Sequence, residues 1–227
     1  MTAGDAYWRT YYREVFEQRR SWLDYSNERV QAQTFGLVLE AAGPVNGRRC
    51  VDIGCGWGQL ARTLHDLGAA SVTGVDLVPE HIAQLSREIP HIRWLCGDLS
   101  AGELGLEPGS CEILLMVEVL QYMPFAATLA RAWDLLAPGG RIVAVVPNAS
   151  CPIVASTRER FGGRYAPPTL QDARTVLPAL RDVQTWSYRG LTFAADQRIA
   201  PYEVTAWTQA EPAGPVPNRI QLTALKA

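Results

Sequence analysis

The sequence predicts a doubly wound α/β fold: a mostly parallel, seven-stranded sheet with an antiparallel last strand, helices on both faces and N-terminal helices ahead of it. Three observations carry this expectation. After Pro44, short runs rich in Val, Ile and Leu alternate with helical stretches. These runs are continuously apolar rather than alternating, as strands covered on both faces must be. The first run stops on an acid, Asp52, and gives way to Gly54, Gly56 and Gly58 at every second position before a helix begins.

Each element follows from its own pattern. In DAYWRTYYREVFEQRR, Trp8, Tyr11, Tyr12, Val15 and Phe16 recur at three- and four-residue spacing and predict a first helix. Val30, Thr34, Leu37, Val38 and Ala41 predict a second, which Gly43-Pro44 stops. Then come RCVDI, a helix from Gln59 to Leu67, SVTGVD, a helix from Pro79 to Glu88, IRWLCGD, CEILLMV, the helix FAATLARAWDLLAPGG and the strand RIVAVVPN. Five strands separated by helices make a parallel sheet. Farther on, PPTLQDARTVLPAL reads as a helix capped by Thr169 with Asp172 three residues later, and VQTWSYRGLTF and NRIQLTALK read as the antiparallel strands that finish such a sheet. Residues 1–43 are expected to form the N-terminal helices. Residues 44–227 form one domain, with 149–168 and 194–217 as substrate-side insertions.

Composition narrows the function classes. The chain has 227 residues, enough for one sizeable α/β domain. Its 21 basic and 23 acidic side chains nearly balance, so no general positive field gathers a polyanion, and nucleic acid is disfavoured as a partner. Charge appears within five residues of the start and no run of about 18 apolar residues occurs, which predicts a cytoplasmic protein without a membrane span. The five cysteines, Cys50, Cys55, Cys96, Cys111 and Cys151, include no C-x-x-C pair and are expected as core thiols rather than disulfides or zinc ligands. His65, His81 and His91 fall away from the carboxyl ends of strands, where an acceptor would sit, and are expected on the surface.

In open α/β sheets, ligands bind beyond the carboxyl ends of the strands, and a glycine turn after the first strand lets backbone N–H groups approach them. Asp76 ends the second strand 22 residues after Gly54, and a carboxylate there suits the vicinal diol of a ribose. A pyrophosphate would be repelled by Asp52, so the ligand expected is a nucleoside with a cationic end.

These residues carry a resemblance. VDIGCGWGQL, followed in register by VTGVDL, CGDL and CEILLMVEVLQYMP, resembles the class I methyltransferases that use S-adenosylmethionine, in their Rossmann-like fold. The pattern is closest to the small-molecule and quinone-biosynthesis-type enzymes. The resemblance implies that Gly54, Cys55, Gly56 and Gly58 pack against the methionine portion, that Asp52 faces its ammonium directly or through water, and that Asp76 holds the ribose. Asp98 would accept from the adenine amino group, with Leu77 and Leu99 around the ring and Val117 beside the cofactor; Asp98 alternatively caps the following turn. The product would be S-adenosylhomocysteine.

The acceptor is expected at the end of the fourth strand, VEVLQYMP. This stretch resembles the MEVLEHVP pattern, in which two glutamates and a histidine can hold a divalent cation. Only Glu118 is retained, Gln121 and Tyr122 replacing the others, so no metal is expected. Glu118 and Tyr122 are the catalytic candidates, orienting the acceptor or taking its proton; the alternative is a turn cap and a pocket wall. The resemblance implies that the N-terminal helices, residues 1–43, fold over the cofactor as a lid on the substrate side, so for the acceptor itself the candidates are Trp8, Tyr11, Tyr12 and Tyr25 from that lid, Asn148 after the fifth strand, and Arg164 near the Gly162-Gly163 hinge, where Arg158 and Arg160 also stand. A solvated charged face is the alternative for those arginines.

The expected function is methyl transfer to an O, N or C atom of a small molecule, in secondary metabolism by one reading. Two alternatives remain: a methyltransferase-fold enzyme catalysing a non-transfer reaction such as cyclisation with the cofactor bound, and a non-catalytic subunit that positions a partner.

Overall fold

A computed structural model of the chain describes residues 3–17, 28–101, 104–176, 180–189, 203–207, 216 and 219–227. The elements run α1 (Ala3–Glu17), α2 (Glu28–Ala42), β1 (Arg49–Ile53), α3 (Gln59–Asp66), β2 (Ser71–Asp76), α4 (Pro79–Glu88), β3 (Arg93–Cys96), β4 (Cys111–Val117), a 3-10 turn (Leu120–Tyr122), α5 (Phe125–Leu135), β5 (Leu136–Pro147), α6 (Pro152–Arg160), α7 (Leu170–Thr175), β6 (Leu180–Arg189), β7 (Glu203–Trp207) and β8 (Arg219–Leu225).

The strands form one sheet in the order β3-β2-β1-β4-β5-β8-β6-β7. β1 to β5 are parallel, and β8 joins β5 antiparallel, with Arg219 opposite Pro147. The doubly wound sheet and the antiparallel last strand are as the sequence predicts, but the described sheet has eight strands rather than seven. The added strand, β7, pairs with β6 at the sheet edge. It lies within 194–217, the stretch read from its Pro, Ala and Gly content as an insertion.

Alternation along β4 shows how both faces are covered. Ile113 and Leu115 join a core with Val38 of α2, Leu64 of α3 and Leu85 of α4. Leu114 and Met116 join the opposite core, with Leu129 of α5 and Ala173 of α7. With Ile113 to Met116 all buried, the strand reads as a continuous apolar run. Val38 and Ala42 of α2 belong to the first core, so this helix covers the sheet, whereas Trp8 of α1 packs with Val154 of α6 and with Tyr122 after β4.

The α5–β5 boundary differs from its prediction. Leu136 to Gly140 belong to the strand, not to the helix. Lys226, at the far end of the chain, donates from Nζ to the carbonyls of Trp133 and Leu136 at 2.9 and 2.8 Å and so satisfies the helix end. Its backbone pairs with Gly139 and Gly140. The capping box at α7 is as predicted, with Thr169 Oγ1 accepting from the Asp172 amide at 3.1 Å and Asp172 Oδ2 accepting from the Thr169 amide at 2.8 Å.

Candidate active site

The site is built at the carboxyl ends of β1, β2 and β4. Gly54 and Gly56 both adopt left-handed backbone, φ 75 and 49, which glycine tolerates without penalty. A Cβ on Gly54 would stand 2.5 Å from Val119 Cγ2, so no other residue fits there. A Cβ on Gly56 would meet nothing within 4 Å: its bare backbone faces open space. Gly58 stands at the N-cap of α3 and closes the loop by donating to the Cys55 carbonyl at 2.8 Å.

Asp76 locks this loop to β2. Its Oδ2 accepts the Gly56 N–H and its Oδ1 the Val78 N–H, each at 2.9 Å. Asp52, one strand over, is 2 % exposed, and its Oδ2 has no hydrogen-bond partner. Burial and then the charge of Asp76 push its carboxyl up to about 7, against the pull of the Ala61 backbone N–H at the start of α3. A buried acid with one oxygen left unpartnered beside an open glycine loop is the environment that a cationic group satisfies. Cys55 is buried behind the loop, where burial pushes its thiol well up and keeps it unreactive.

The other predicted cofactor residues divide. Leu77 packs with the aromatic cluster of α1, whereas Leu99 is buried in the core cluster that contains Val75. Asp98 Oδ1 takes the Ser100 N–H and hydroxyl at 2.7 and 2.8 Å, so the carboxylate does cap its turn. Val117 ends β4, half-buried against the first core.

His81 corrects the surface reading. It is 7 % exposed, its Nδ1 lies 3.6 Å from Asp76 Oδ1, and its ring stacks on Trp57 at 5.5 Å. The signal available in the sequence was its place five residues after Asp76, in the first turn of α4 and facing back over that acid. His65 and His91 are exposed, as expected.

Aromatic residues of α1 pack over the end of β4. Trp8, 3 % exposed, packs on Tyr122 at 4.6 Å and on Phe161 at 5.3 Å, and Tyr11 and Tyr12 extend the cluster to Phe161 and Tyr122. Burial pushes the Tyr122 phenol up to about 12, and burial also raises Tyr12 well above its ordinary value. Both therefore keep their protons at neutral pH. Glu118 is half-buried and paired with Arg219. Asn148 is buried, with Oδ1 accepting from the Ser150 N–H at 3.1 Å. Arg164 is exposed, its guanidinium 4.7 Å over the Tyr7 ring, and Arg158 and Arg160 are likewise exposed. A cleft of about 330 Å³, lined by Ala149, Val154, Arg158, Glu159, Gly163 and Pro167, includes none of the glycine-loop residues. Tyr25 lies outside the described residues.

Among the described residues no group of three or more His, Cys, Asp or Glu side chains is placed to hold a metal, and no helix is long and apolar enough to cross a membrane.

With this geometry in place, the comparisons become specific. Residues 50–140 match the family model described as a methyltransferase domain. Over that stretch the chain is similar to methyltransferase domains. The chain is 34% identical over 111 residues to the ubiquinone biosynthesis O-methyltransferase of Bordetella parapertussis, covering 48% of this chain and 46% of that one. It is 33% identical over 155 residues to the protein of the same name from Colwellia psychrerythraea, covering 60% and 63%. The chain thus spans about half the length of most of the curated relatives it matches. Among solved structures, an S-adenosylmethionine-dependent methyltransferase from Mesorhizobium loti superposes with a TM-score of 0.62 at 19% identity, over 87% of this chain and 98% of that one. A Burkholderia thailandensis 1,6-didemethyltoxoflavin-N1-methyltransferase, with its substrate and S-adenosylhomocysteine bound, superposes with a TM-score of 0.63 at 18% identity, over 100% and 92%. At those identities the two structures establish the methyltransferase fold.

Proposed function

We propose that this methyltransferase domain binds S-adenosylmethionine at the glycine loop and transfers its methyl group to a small-molecule acceptor, an oxygen atom being the favoured target. The observation that carries this reading is the buried Asp52, whose Oδ2 has no hydrogen-bond partner, beside the open backbone of Gly56. The fit extends to Asp76, whose carboxylate stands at the end of β2 with lone pairs left for a diol after its two backbone bonds. Oxygen as acceptor atom rests on the relatives named as ubiquinone biosynthesis O-methyltransferases.

The bound cofactor would supply an electrophilic methyl on a sulfonium, and the chain's residues do the rest. Asp52 faces the ammonium, and Asp76 takes the ribose hydroxyls while holding Gly56 in place. Trp8, Tyr12 and Tyr122 wall the acceptor side with aromatic faces and exclude water, which is the main contribution a protein makes to an in-line displacement. Glu118 offers an anionic oxygen to an acceptor O–H or N–H. In this reading α1 is a lid that opens for the acceptor, 149–168 belongs to the substrate side, and the enzyme works in the cytoplasm.

The test is methyl transfer from isotope-labelled S-adenosylmethionine to a panel of catechols, phenols, amines and acidic carbon compounds, read by mass spectrometry. A labelled O-methyl product is expected. A product formed equally well with S-adenosylhomocysteine, with no label transferred, would replace methyl transfer by a cofactor-assisted reaction of another kind.

A further inference from the structure

Glu118 is the one non-glycine residue in left-handed backbone among those described, with φ 55. Strain of this kind persists only where the surroundings over-determine it, and it concentrates at functional sites. Three contacts over-determine it here. The Glu118 amide donates to the Val145 carbonyl at 2.8 Å, its carbonyl accepts from Gln121 Nε2 at 2.8 Å, and its Oε1 accepts from Arg219 Nε. Arg219 opens β8 opposite Pro147, and both side chains of the pair are 11% exposed. A pair this buried adds little net stability over apolar packing, so stability does not account for its presence beside a strained residue at the binding edge.

We infer that Arg219 is a positioning residue that supplies the positive charge opposite Glu118, in place of the divalent cation that the MEVLEHVP pattern can hold. The inference deepens the methyl-transfer reading and rests on it. A hard divalent cation needs several oxygen ligands with net negative charge. What this chain offers is a carboxylate already paired with a guanidinium, the neutral phenol of Tyr122 and a single amide oxygen, Gln121 Oε1, buried without a hydrogen-bond partner. These groups suit an organic acceptor that brings its own hydroxyl or amine hydrogens: Glu118, held by Arg219, accepts one and Gln121 Oε1 accepts a second. They do not suit Mg2+.

The test is the ¹H–¹⁵Nε spectrum of arginine side chains in the full chain, with Mn2+ as the probe. Arg219 is expected to give a separate, slowly exchanging Nε–H signal, identified by its loss in Arg219→Lys and by its move to the free-arginine position in Glu118→Gln. That signal is expected to be unchanged by Mn2+ at up to tenfold excess over protein. A wild-type Arg219 signal already at the free-arginine position would overturn the inference. So would broadening by equimolar Mn2+ that disappears in Glu118→Gln. Failure of the methyl-transfer reading shows separately, as absence of S-adenosylhomocysteine binding, on which neither signal depends.

Discussion

The carboxylate of Asp76 accepts the amide N–H of Gly56 at 2.9 Å, tying the glycine loop to the end of the neighbouring strand across 20 residues of chain. One side chain thereby shapes the loop and presents itself to a diol. Asp76→Ala should remove both at once and weaken S-adenosylhomocysteine binding by about 10- to 100-fold, roughly 1.4–3 kcal/mol. Isothermal titration calorimetry reads this directly. Asp76→Asn, which keeps one acceptor oxygen, should fall between the two.

Asp52 carries a pH dependence whose sign follows from its environment. Its folded value of about 7 lies above its ordinary 3.8, so the folded state binds the proton more tightly than the unfolded one. The stabilisation associated with the protonated carboxyl is fully present below pH 3.8 and is lost as pH rises through about 7. Asp52→Asn should therefore gain thermal stability relative to the unaltered chain as pH goes from 4 to 8. A cationic ligand favours the ionised acid, so S-adenosylhomocysteine binding near pH 7 should release a proton. Calorimetry in buffers of differing ionisation enthalpy measures that release, which should vanish in Asp52→Asn.

Two glycines separate folding from binding. Gly54→Ala drives a Cβ to 2.5 Å from Val119 with φ 75 and should cost about 2–4 kcal/mol in thermal or denaturant unfolding. Gly56→Ala meets no atom and should cost only about 1 kcal/mol for its φ of 49. Its methyl projects into the open space, however, and should weaken cofactor binding at least tenfold.

If α1 is the proposed lid, its removal from the aromatic cluster speeds loss of the cofactor. Trp8 is buried among Tyr122, Phe161 and Tyr165 although it belongs to the first helix. Trp8→Ala should release α1, which limited proteolysis would show as faster cleavage near the N-terminus. Stopped-flow displacement should then give S-adenosylhomocysteine dissociation several-fold faster than in the unaltered chain.

What was legible in the sequence was what local pattern dictates. β1, β2 and β4 are apolar on both faces, and Asp52, Gly54, Gly56 and Asp76 sit where turn chemistry and strand ends put them. What escaped depends on contacts made at long range. Leu136 to Gly140 look helical until Lys226 arrives from the chain's end to satisfy the carbonyls of α5. His81 looks solvated until the loop brings Trp57 over its ring. β7 is carried by Glu203–Trp207 in a stretch whose composition suggests a loop, because an edge strand needs only one paired neighbour. Glu118 could be placed at the end of β4 by counting, but its partner Arg219 lies 101 residues away.

The central claim is that the glycine loop with Asp52 and Asp76 is a site for S-adenosylmethionine. Calorimetric titration of the unaltered chain with S-adenosylmethionine and with S-adenosylhomocysteine tests it most directly. Saturable binding of both ligands at one site, with micromolar dissociation constants, is the result expected. A folded chain that gives no binding heat with either ligand, and no thermal stabilisation by either, would contradict it.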